Sequence, residues 1–331
     1  MSDDSVKAGH DYVSPGFATV APDEAFPNMI LGDKSSPTWP FFRRWVDHKW
    51  YVDRRNPQIG FANRDEASIL YNTALRFKGQ PCLEIGCWRG WSAVHLALGG
   101  VSLDVIDPMF RDDAFKQGVA DSCAAAGVGE RVRLHAGASP GAVQELAAAR
   151  SQPWSLIFID GDHEGDAPRL DAEIVMRYAP ADAMVLFHDL ASPYVSAGLD
   201  AMRNAGWQTM VYQTMQIMGV AWRGNVTPVE HVPDPEIFWT LPRHLSGYTV
   251  SGWQRPAAPM GNTVEDQRRA ALLRAQAAED EFFAARIERE KAVRHIRALE
   301  QAYNTLRAEK DAVQATAKTM EAALAALVTK S

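Results

Sequence analysis

The chain has 331 residues, a formal net charge of −7 and 47% hydrophobic residues, enough to bury a full domain core with further segments attached. The acidic balance argues against a nucleic-acid partner, because affinity for phosphate comes from clustered lysine and arginine. Three cysteines without framework spacing argue against a disulfide-stapled fold, so we expect reduced thiols in a cytoplasmic protein. The first residues are acidic and no apolar run reaches about 18 residues, so we expect neither a signal peptide nor a transmembrane segment.

Residues 1–60 are rich in proline and aromatic residues and show no clear periodicity. Within them, the segment 41–51 mixes aromatic side chains with Arg43, Arg44 and Lys49. Such a segment either packs over the core with its charges in solvent or forms a lid, since aromatic faces and cations suit an acidic or glycan substrate. We therefore expect an irregular N-terminal segment that is a possible lid.

From residue 61 to 225, predicted strands and helices alternate. A helix over 63–76 leads into strands near 81–85, 102–106, 131–135, 155–160 and 183–188, with helices near 91–98, 112–126, 140–149, 166–178 and 194–205. The later strands are continuous apolar runs, which is typical of strands buried on both faces of a parallel sheet. Segments 207–212 and 218–222 resemble a closing antiparallel pair. The pattern predicts an α/β fold with a Rossmann-like, doubly wound and mostly parallel sheet.

The first predicted strand and the turn after it, residues 81–91, are the most informative segment. The apolar run ends in Glu84, and the glycines of the turn are Gly86 and Gly90. This predicts a tight turn and a helix whose N-terminal N–H groups face a ligand, although strand–turn–helix packing alone could account for the glycines. The next strand ends in Asp107, where an acid can accept hydrogen bonds from ribose hydroxyls. A dinucleotide site would need Gly-x-Gly-x-x-Gly, so an NAD-type oxidoreductase is disfavoured.

A second group of polar residues follows two later strands. Residues 160–164 read Asp-Gly-Asp-His-Glu, and the next strand ends in His188 and Asp189. Because neighbouring strands lie about 4.8 Å apart, Asp160 and Asp189 should approach closely and repel each other unless a cation lies between them. Mg²⁺ suits oxygen ligands, whereas an imidazole such as His188 also suits a softer transition metal. The alternative is that both acids cap the helices that follow.

His163 lies on the loop three residues beyond Asp160. An imidazole titrates near neutral pH and can take a proton from a hydroxyl, so His163 is a candidate general base. A satisfied structural histidine is the alternative.

The turn at 84–90 resembles motif I of the class I S-adenosylmethionine-dependent methyltransferases. Segments 158–163 and 185–189, with Asp171 between them, are similar to a bacterial family of that class. It includes the macrocin-type sugar O-methyltransferases and the cephalosporin-hydroxylase-like proteins, and the resemblance covers roughly residues 60–225. It implies S-adenosyl-L-methionine as cofactor and a hydroxyl of a sugar, glycan or glycosylated small molecule as acceptor. By position it implies these cofactor-binding residues: Glu84, Gly86, Gly90, Asp107, Ala138, Ser139 and Asp160.

The same resemblance implies that Asp160 binds a metal and takes part in catalysis beside the base His163. Relatives complete the metal site with a Glu-Asp pair, where this chain has His188 and Asp189. The expected metal ligands are therefore Asp160, Asp189 and His188, and the need for a divalent cation stays open. Many relatives also carry an adenine-binding Asp where this chain reads Gly-Ala-Ser over 137–139, so adenine binding is expected from main-chain groups of Ala138 and Ser139.

Residues 226–262 hold six prolines and predict an irregular arm or linker. From 263 to 331 neither glycine nor proline occurs. Two series run there at seven-residue spacing: Ile296, Tyr303, Lys310, Ala317 and Leu324, and Leu299, Leu306, Val313, Met320 and Leu327. This spacing predicts a C-terminal coiled-coil helix and hence a homo-oligomer. A long helix lying on its own domain is the alternative.

Two main functions remain from these patterns. The first is an S-adenosylmethionine-dependent O-methyltransferase that acts on a small-molecule or glycan acceptor, either with or without the help of a divalent metal. The second is a catalytically silent, methyltransferase-like assembly protein held together by its coiled coil. The intact acids and glycines of the first turn and second strand favour the enzyme.

Overall fold

The computed structural model describes residues 12–26, 29–31, 51–53, 59–60, 62–235 and 239–252, with separate helical positions between 264 and 310. Residues 41–50 of the possible lid and the seam positions beyond 310 lie outside this description. The chain divides into two compact units, residues 1–280 and 281–331. No helix within the described part of the chain combines the length and the apolarity needed to cross a membrane.

A small antiparallel sheet occurs in the N-terminal segment, where the sequence predicted irregular structure. Its strands are β1 (Met29–Leu31), β2 (Tyr51–Asp53) and β3 (Ile59–Gly60), with β2 in the middle. Strands of two or three residues are too short to produce a recognisable alternation of apolar and polar residues, so no sequence pattern predicts them.

A seven-stranded sheet forms the centre of the first unit. Its strands are β4 (Pro81–Ile85), β5 (Ser102–Asp107), β6 (Val132–Ala136), β7 (Leu156–Ile159), β8 (Ala183–Phe187), β9 (Gln208–Tyr212) and β10 (Met218–Arg223). Their order is β6-β5-β4-β7-β8-β10-β9, and within this sheet β10 runs antiparallel to both of its neighbours, β8 and β9, while all other pairs are parallel. The predicted α/β fold class with an antiparallel closing pair is therefore confirmed.

In the part of the chain that the structure describes, six α-helices cover the two faces of this sheet. They are α1 (Arg64–Arg76), α2 (Trp91–Leu98), α3 (Asp113–Ala125), α4 (Gly141–Ala148), α5 (Ala167–Tyr178) and α6 (Pro193–Asn204). Helices α1 to α3 pack on one face and α4 to α6 on the other, each over its own apolar cluster. Strand β8 shows why a strand covered on both faces is apolar at every position: Met184 and Leu186 enter the first cluster, and Val185 and Phe187 enter the second.

The strand order reverses between β4 and β7, so a crevice opens at the carboxyl ends of these two strands. The turn between β9 and β10 lies at the same edge, because β10 runs antiparallel to β8 and pairs Gly219 with Phe187. Main-chain hydrogen bonds from Leu190 to Ile217 and from Ala191 to Gln216 join this turn to the loop after β8. The fold thus brings four connections together around one crevice: those after β4, β7 and β8, and the turn between β9 and β10.

Candidate functional site

The turn between β4 and α2 can be built only with glycine at its first position. Gly86 has φ +78°, and a Cβ on it would lie 2.3 Å from the main-chain oxygen of Asp160. Gly90, at φ +89°, is the N-cap of α2. The left-handed backbone and the close approach both exclude a side chain at Gly86. The turn is consequently pressed against the start of the loop that carries Asp160.

Glu84 lies beneath this turn and is fully buried. The Ser92 hydroxyl donates to Glu84 Oε1 at 2.5 Å, while Oε2 is enclosed and has no hydrogen-bond partner. Burial raises the pKa of Glu84 well above its usual range, the nearby Asp160 and Asp107 carboxylates raise it further, and Ser92 opposes the shift. An enclosed carboxyl oxygen without a donor suits a ligand that brings an amino or hydroxyl group.

Asp107 holds the glycine turn from the next strand. Its Oδ2 accepts hydrogen bonds from the main-chain N–H groups of Cys87 at 3.1 Å and Trp88 at 3.2 Å. Its Oδ1 accepts from Met109 N at 2.8 Å. Sequence reasoning assigned this acid to ribose, and that role stays a prediction, since carboxylate oxygens can accept further bonds. The structure adds a second role for Asp107, which is to hold the main chain of residues 87 and 88 in place.

The two predicted acids after β7 and β8 do come together, and two imidazoles bridge them. His163 places Nε2 3.2 Å from Asp160 Oδ1 and Nδ1 3.3 Å from Asp189 Oδ2. His188 places Nδ1 3.4 Å and 3.3 Å from the same two oxygens. His163 is 35% exposed, whereas His188 is fully buried, so only His163 faces the crevice.

Neither acid caps the helix that follows it. The N-cap of α5 is Asp166 and that of α6 is Ser192. Asp189 instead has φ +60°, a left-handed conformation that costs a side-chain-bearing residue energy and is concentrated at functional sites. The capping alternative is therefore set aside for Asp160 and Asp189.

One group whose geometry suits a metal ion contains His163 beside the predicted ligands Asp160 and Asp189, and the third predicted ligand, His188, stays a prediction. Asp160, His163 and Asp189 offer ligand atoms that all lie within 4.8 Å of one another. His188 lies behind them, with Nε2 3.4 Å from Glu66 Oε2. Two carboxylates and one imidazole are a donor set that divalent metals accept.

Glu66 is a residue of this site that sequence reasoning missed. It is fully buried in the first turn of α1, where its Oε2 accepts from Asn63 N and its Oε1 from Gln216 N, both at 2.9 Å. The Asn63 side chain in turn accepts from Glu66 N, which completes a capping box. A glutamate three residues after an asparagine signals a helix start, and this local signal conceals the second contact, with His188.

The charges of the cluster shift one another's pKa values. Burial would raise the pKa of Asp160, but the His188 and His163 imidazoles lower it to about 2. Burial would lower the pKa of His163, but the Asp189 and Asp160 carboxylates raise it to about 9. The same two carboxylates and Glu66 raise the pKa of His188 well above its usual range against the effect of burial. Asp160, His163 and His188 are thus each stabilised in their charged form by their neighbours.

The loop between β6 and α4 lies beside Asp107, because Gly137 N donates to Asp107 O at 3.3 Å. Ala138 is exposed and Ser139 is half-buried. Met109 is 42% exposed in the neighbouring loop after β5. The predicted adenine-binding residues therefore border the crevice next to the predicted ribose site, with an apolar side chain at hand.

Residues 83–190 match the sequence model of a family described as a methyltransferase domain. This range contains both the glycine turn and the cluster of acids and histidines. Residues 83–190 form a methyltransferase domain. The predicted class of S-adenosylmethionine-dependent methyltransferases is thereby confirmed. No curated protein matches the chain significantly.

Solved structures similar to this methyltransferase domain include one described as cofactor-bound, one bound to SAM and one bound to SAH. Cofactor-bound Rv0187 from MTB is 18% identical over 50% of this chain and 82% of its own, with a TM-score of 0.42. The O-methyltransferase TomG of tomaymycin synthesis from Streptomyces achromogenes, in complex with SAM, is 17% identical over 50% and 82%, with a TM-score of 0.41. An O-methyltransferase from Bacillus cereus with SAH is 14% identical over 48% and 80%, with a TM-score of 0.41. At this identity the likeness is one of fold.

The residues of the methyltransferase domain fit S-adenosylmethionine better than a dinucleotide. The cofactor carries an amino group and ribose hydroxyls, which can supply the donor that Glu84 Oε2 lacks. Gly86 leaves the turn free of side-chain atoms. Two carboxyl groups around the crevice, Asp107 and Asp160, would oppose a pyrophosphate.

Proposed function

We propose that this methyltransferase transfers a methyl group to a hydroxyl oxygen of a sugar, glycan or glycosylated small molecule. The observation that carries the proposal is the cluster of Asp160, His163 and Asp189 at the strand ends, directly beside the glycine turn. An oxygen nucleophile must lose a proton as it gains the methyl group, and a cluster of this kind can receive that proton. The sugar acceptor rests on the sequence resemblance to macrocin-type enzymes.

In this proposal, Glu84, the glycine turn and Asp107 bind the cofactor, with Ala138, Ser139 and the Asp160 side of the crevice completing its site. Bound there, S-adenosylmethionine supplies an electrophilic methyl group to an aligned acceptor oxygen. The chain contributes alignment, because its binding groups sit on rigid strand ends and a short turn. His163 takes the acceptor proton at a ring nitrogen, and the flanking carboxylates stabilise the imidazolium that results.

A divalent cation is the second part of the proposal. Asp160, Asp189 and His188, the ligands predicted from the sequence, would hold it and leave His163 as the base; its chemistry would be to orient the acceptor oxygen and lower the pKa of its hydroxyl. His188 Nδ1 is 3.4 Å from Asp160 Oδ1 and 3.3 Å from Asp189 Oδ2, which supports it as the third ligand. Mg²⁺ matches the two carboxylates, and a transition metal matches the imidazole better.

Calorimetry with S-adenosylhomocysteine tests the cofactor site. We expect micromolar affinity in the wild type and no binding of NAD. Asp107→Ala should weaken binding at least about tenfold, since it removes the acceptor of two turn N–H groups as well as the ribose acceptor. Tight NAD binding, or unchanged affinity in the variant, would contradict the assignment.

A methyl-transfer screen against nucleotide sugars and glycan fragments tests the acceptor. Each reaction is run with Mg²⁺ and with EDTA. We expect turnover with at least one hydroxyl acceptor and a lower rate in EDTA. Full activity in EDTA removes the metal from the proposal, and transfer only to nitrogen or carbon acceptors removes O-methylation.

We also propose that residues 263–331 form an intermolecular coiled coil, so that the protein is a homo-oligomer. Described seam residues carry exposed apolar side chains: Ile296, Leu299, Tyr303 and Leu306 are 54–65% exposed. Such a face is unfavourable in water unless another surface covers it, and a parallel copy of the same seam is complementary to it. The silent assembly protein is the competing function, and turnover in the screen above excludes it.

The proposed organisation keeps four parts: residues 1–60, 61–225, 226–262 and 263–331. We place the protein in the cytoplasm, since its three cysteines are free and buried.

A further inference from the structure

Glu66 on α1 joins three segments that border the crevice, although the residue itself is fully buried. Its Oε2 accepts from Asn63 N and its Oε1 accepts from Gln216 N, both at 2.9 Å. The carboxylate is therefore held from the start of α1 and from the β9–β10 turn. Its Oε2 also lies 3.4 Å from His188 Nε2, in an ion pair with the loop after β8. Two main-chain hydrogen bonds fix the carboxylate, so it is a rigid partner for the imidazole.

The His188 ring has carboxylate oxygens near both of its nitrogen atoms. Nε2 faces Glu66, whereas Nδ1 lies 3.4 Å from Asp160 Oδ1 and 3.3 Å from Asp189 Oδ2. These contacts are ion pairs, and neither enclosed nitrogen makes a hydrogen bond of normal geometry. Phe158 packs edge-on against the buried ring, with centroids 6.4 Å apart. The ring thus presents Nδ1 to the two aspartates and Nε2 to Glu66.

Three carboxylates around one buried ring need a compensating positive charge. Asp160 and Asp189 are 21% and 15% exposed and can be reached from the crevice, whereas Glu66 has no exposed surface. A divalent cation between Nδ1 and the two aspartates supplies that charge, provided that Nδ1 carries no proton. The remaining ring proton is then on Nε2, where the negative charge of Glu66 at 3.4 Å favours it.

We propose that Glu66 is a positioning residue for a divalent cation: acting through His188, it keeps the ring proton on Nε2 and leaves Nδ1 to bind the ion. The inference rests on the proposed metal site of Asp160, Asp189 and His188. A carboxylate at the second nitrogen of a metal-binding imidazole fixes the tautomer and the orientation of the ring. Loss of such a partner typically lowers metal affinity about 10- to 100-fold.

Calorimetric titration of the full chain with Mn²⁺ at pH 8 tests this role without any measurement of turnover. Mn²⁺ accepts carboxylate and imidazole ligands. Glu66→Gln keeps the shape of the side chain but removes its charge, and its single oxygen cannot accept on both sides as the carboxylate does. We expect the wild type to bind Mn²⁺ and Glu66→Gln to bind it at least about tenfold more weakly.

Asp65→Asn is the matched control. Asp65 is the preceding residue of the same helical turn and is also buried, but its carboxylate pairs with His231 of the proline-rich arm, at 2.8 Å. This substitution should lower the melting temperature and leave Mn²⁺ affinity within about twofold of the wild-type value. A folded Glu66→Gln variant with wild-type Mn²⁺ affinity, or an equal loss of affinity in Asp65→Asn, overturns the inference.

If Glu66→Gln does not fold, NMR of the wild type labelled with ¹⁵N-histidine and saturated with Mg²⁺ decides instead. The His188 ring should carry its proton on Nε2 and show an unprotonated Nδ1. A proton on Nδ1 overturns the inference and leaves the other parts of the proposed function standing. A wild type that binds neither Mn²⁺ nor Mg²⁺ at millimolar concentration overturns the metal part of the proposed function, and the inference with it.

Discussion

At the scale of single residues, His163 has carboxylates at both ring nitrogens, and this determines when it can act as a base. Asp189 and Asp160 outweigh the effect of burial and raise its pKa to about 9. A general base must be unprotonated, so activity should increase as the pH rises through that value. We expect kcat/KM measured in EDTA to rise between about pH 8 and 10.

Two variants separate the base from its surroundings. Asp189→Asn keeps a residue type that tolerates the left-handed backbone at this position and removes the main group that raises the His163 pKa, so the rise should move to lower pH. His163→Ala should lower turnover about 100-fold and leave cofactor affinity nearly unchanged. A flat pH profile in the wild type, or an active His163→Ala enzyme, would assign the proton to another group.

At the scale of structural elements, the β4–α2 turn depends on one close contact. In Gly86→Ala the new Cβ would meet the main-chain oxygen of Asp160 at 2.3 Å, in addition to the strain of a positive φ. Gly127 has a similar φ of +71° with open space around it, so Gly127→Ala carries the torsional cost alone, about 1–2 kcal/mol. We expect Gly86→Ala to lose clearly more unfolding free energy in urea than Gly127→Ala, and to bind S-adenosylhomocysteine more weakly. Equal losses of unfolding free energy in the two variants would mean that the loop after β7 can move away from the added Cβ at little energetic cost.

Strand β5 contains a buried polar network distant from the crevice. Asp104 is fully buried and accepts hydrogen bonds from Arg133 Nε at 2.7 Å and Trp154 Nε1 at 2.9 Å, with His135 Nε2 at 3.0 Å and Arg150 also in contact. Although burial opposes the shift, these hydrogen bonds, that of His135 first, hold its pKa below the usual range.

Removing that carboxylate should destabilise the domain. We expect Asp104→Ala to cost about 2–4 kcal/mol of unfolding free energy, with the partly exposed Arg133 keeping the value below that of a fully buried pair. Because the folded pKa is depressed, the stabilisation is present above the unfolded pKa of about 4 and is lost as the pH falls below it. The exposed Asp121→Asn should change stability by less than about 0.5 kcal/mol. Urea titrations at pH 7 and pH 3 measure both, and a loss for Asp104→Ala that is equally large at pH 3 would contradict the electrostatic account.

At the scale of the whole molecule, the proline-rich arm belongs to the folded first unit. His231 from the arm is fully buried and places Nε2 2.8 Å from Asp65 Oδ2 in the first turn of α1. The Tyr212 hydroxyl donates to Val229 O, and Ser14 Oγ accepts from Val232 N. A chain that ends after residue 225 would leave Asp65 buried without its partner.

Truncation should therefore have different results at two points. Ending the chain after Gly261 should yield a folded, cofactor-binding monomer, whereas ending it after Asn225 should yield an unstable or insoluble product. Light scattering of the full chain at tens of micromolar should show an oligomer that the first truncation abolishes. A monomeric full chain would refute the coiled coil, and an unchanged oligomer after truncation would place the interface in the first unit.

The order of strands and helices was predictable because it depends on local patterns. Continuous apolar runs such as 155–160 and 183–188 identify buried parallel strands without knowledge of their neighbours. Acids directly after such runs meet at one sheet edge for a topological reason, so the approach of Asp160 to Asp189 also followed from the sequence.

Side-chain direction across distant loops was decided only by the tertiary structure. Both His163 and His188 adjoin acids in the sequence, but the packing of β8 under α1 turns His188 inward to Glu66 and leaves His163 at the crevice. Local periodicity encodes which surface a segment buries, whereas contacts between loops depend on how all the buried surfaces fit together.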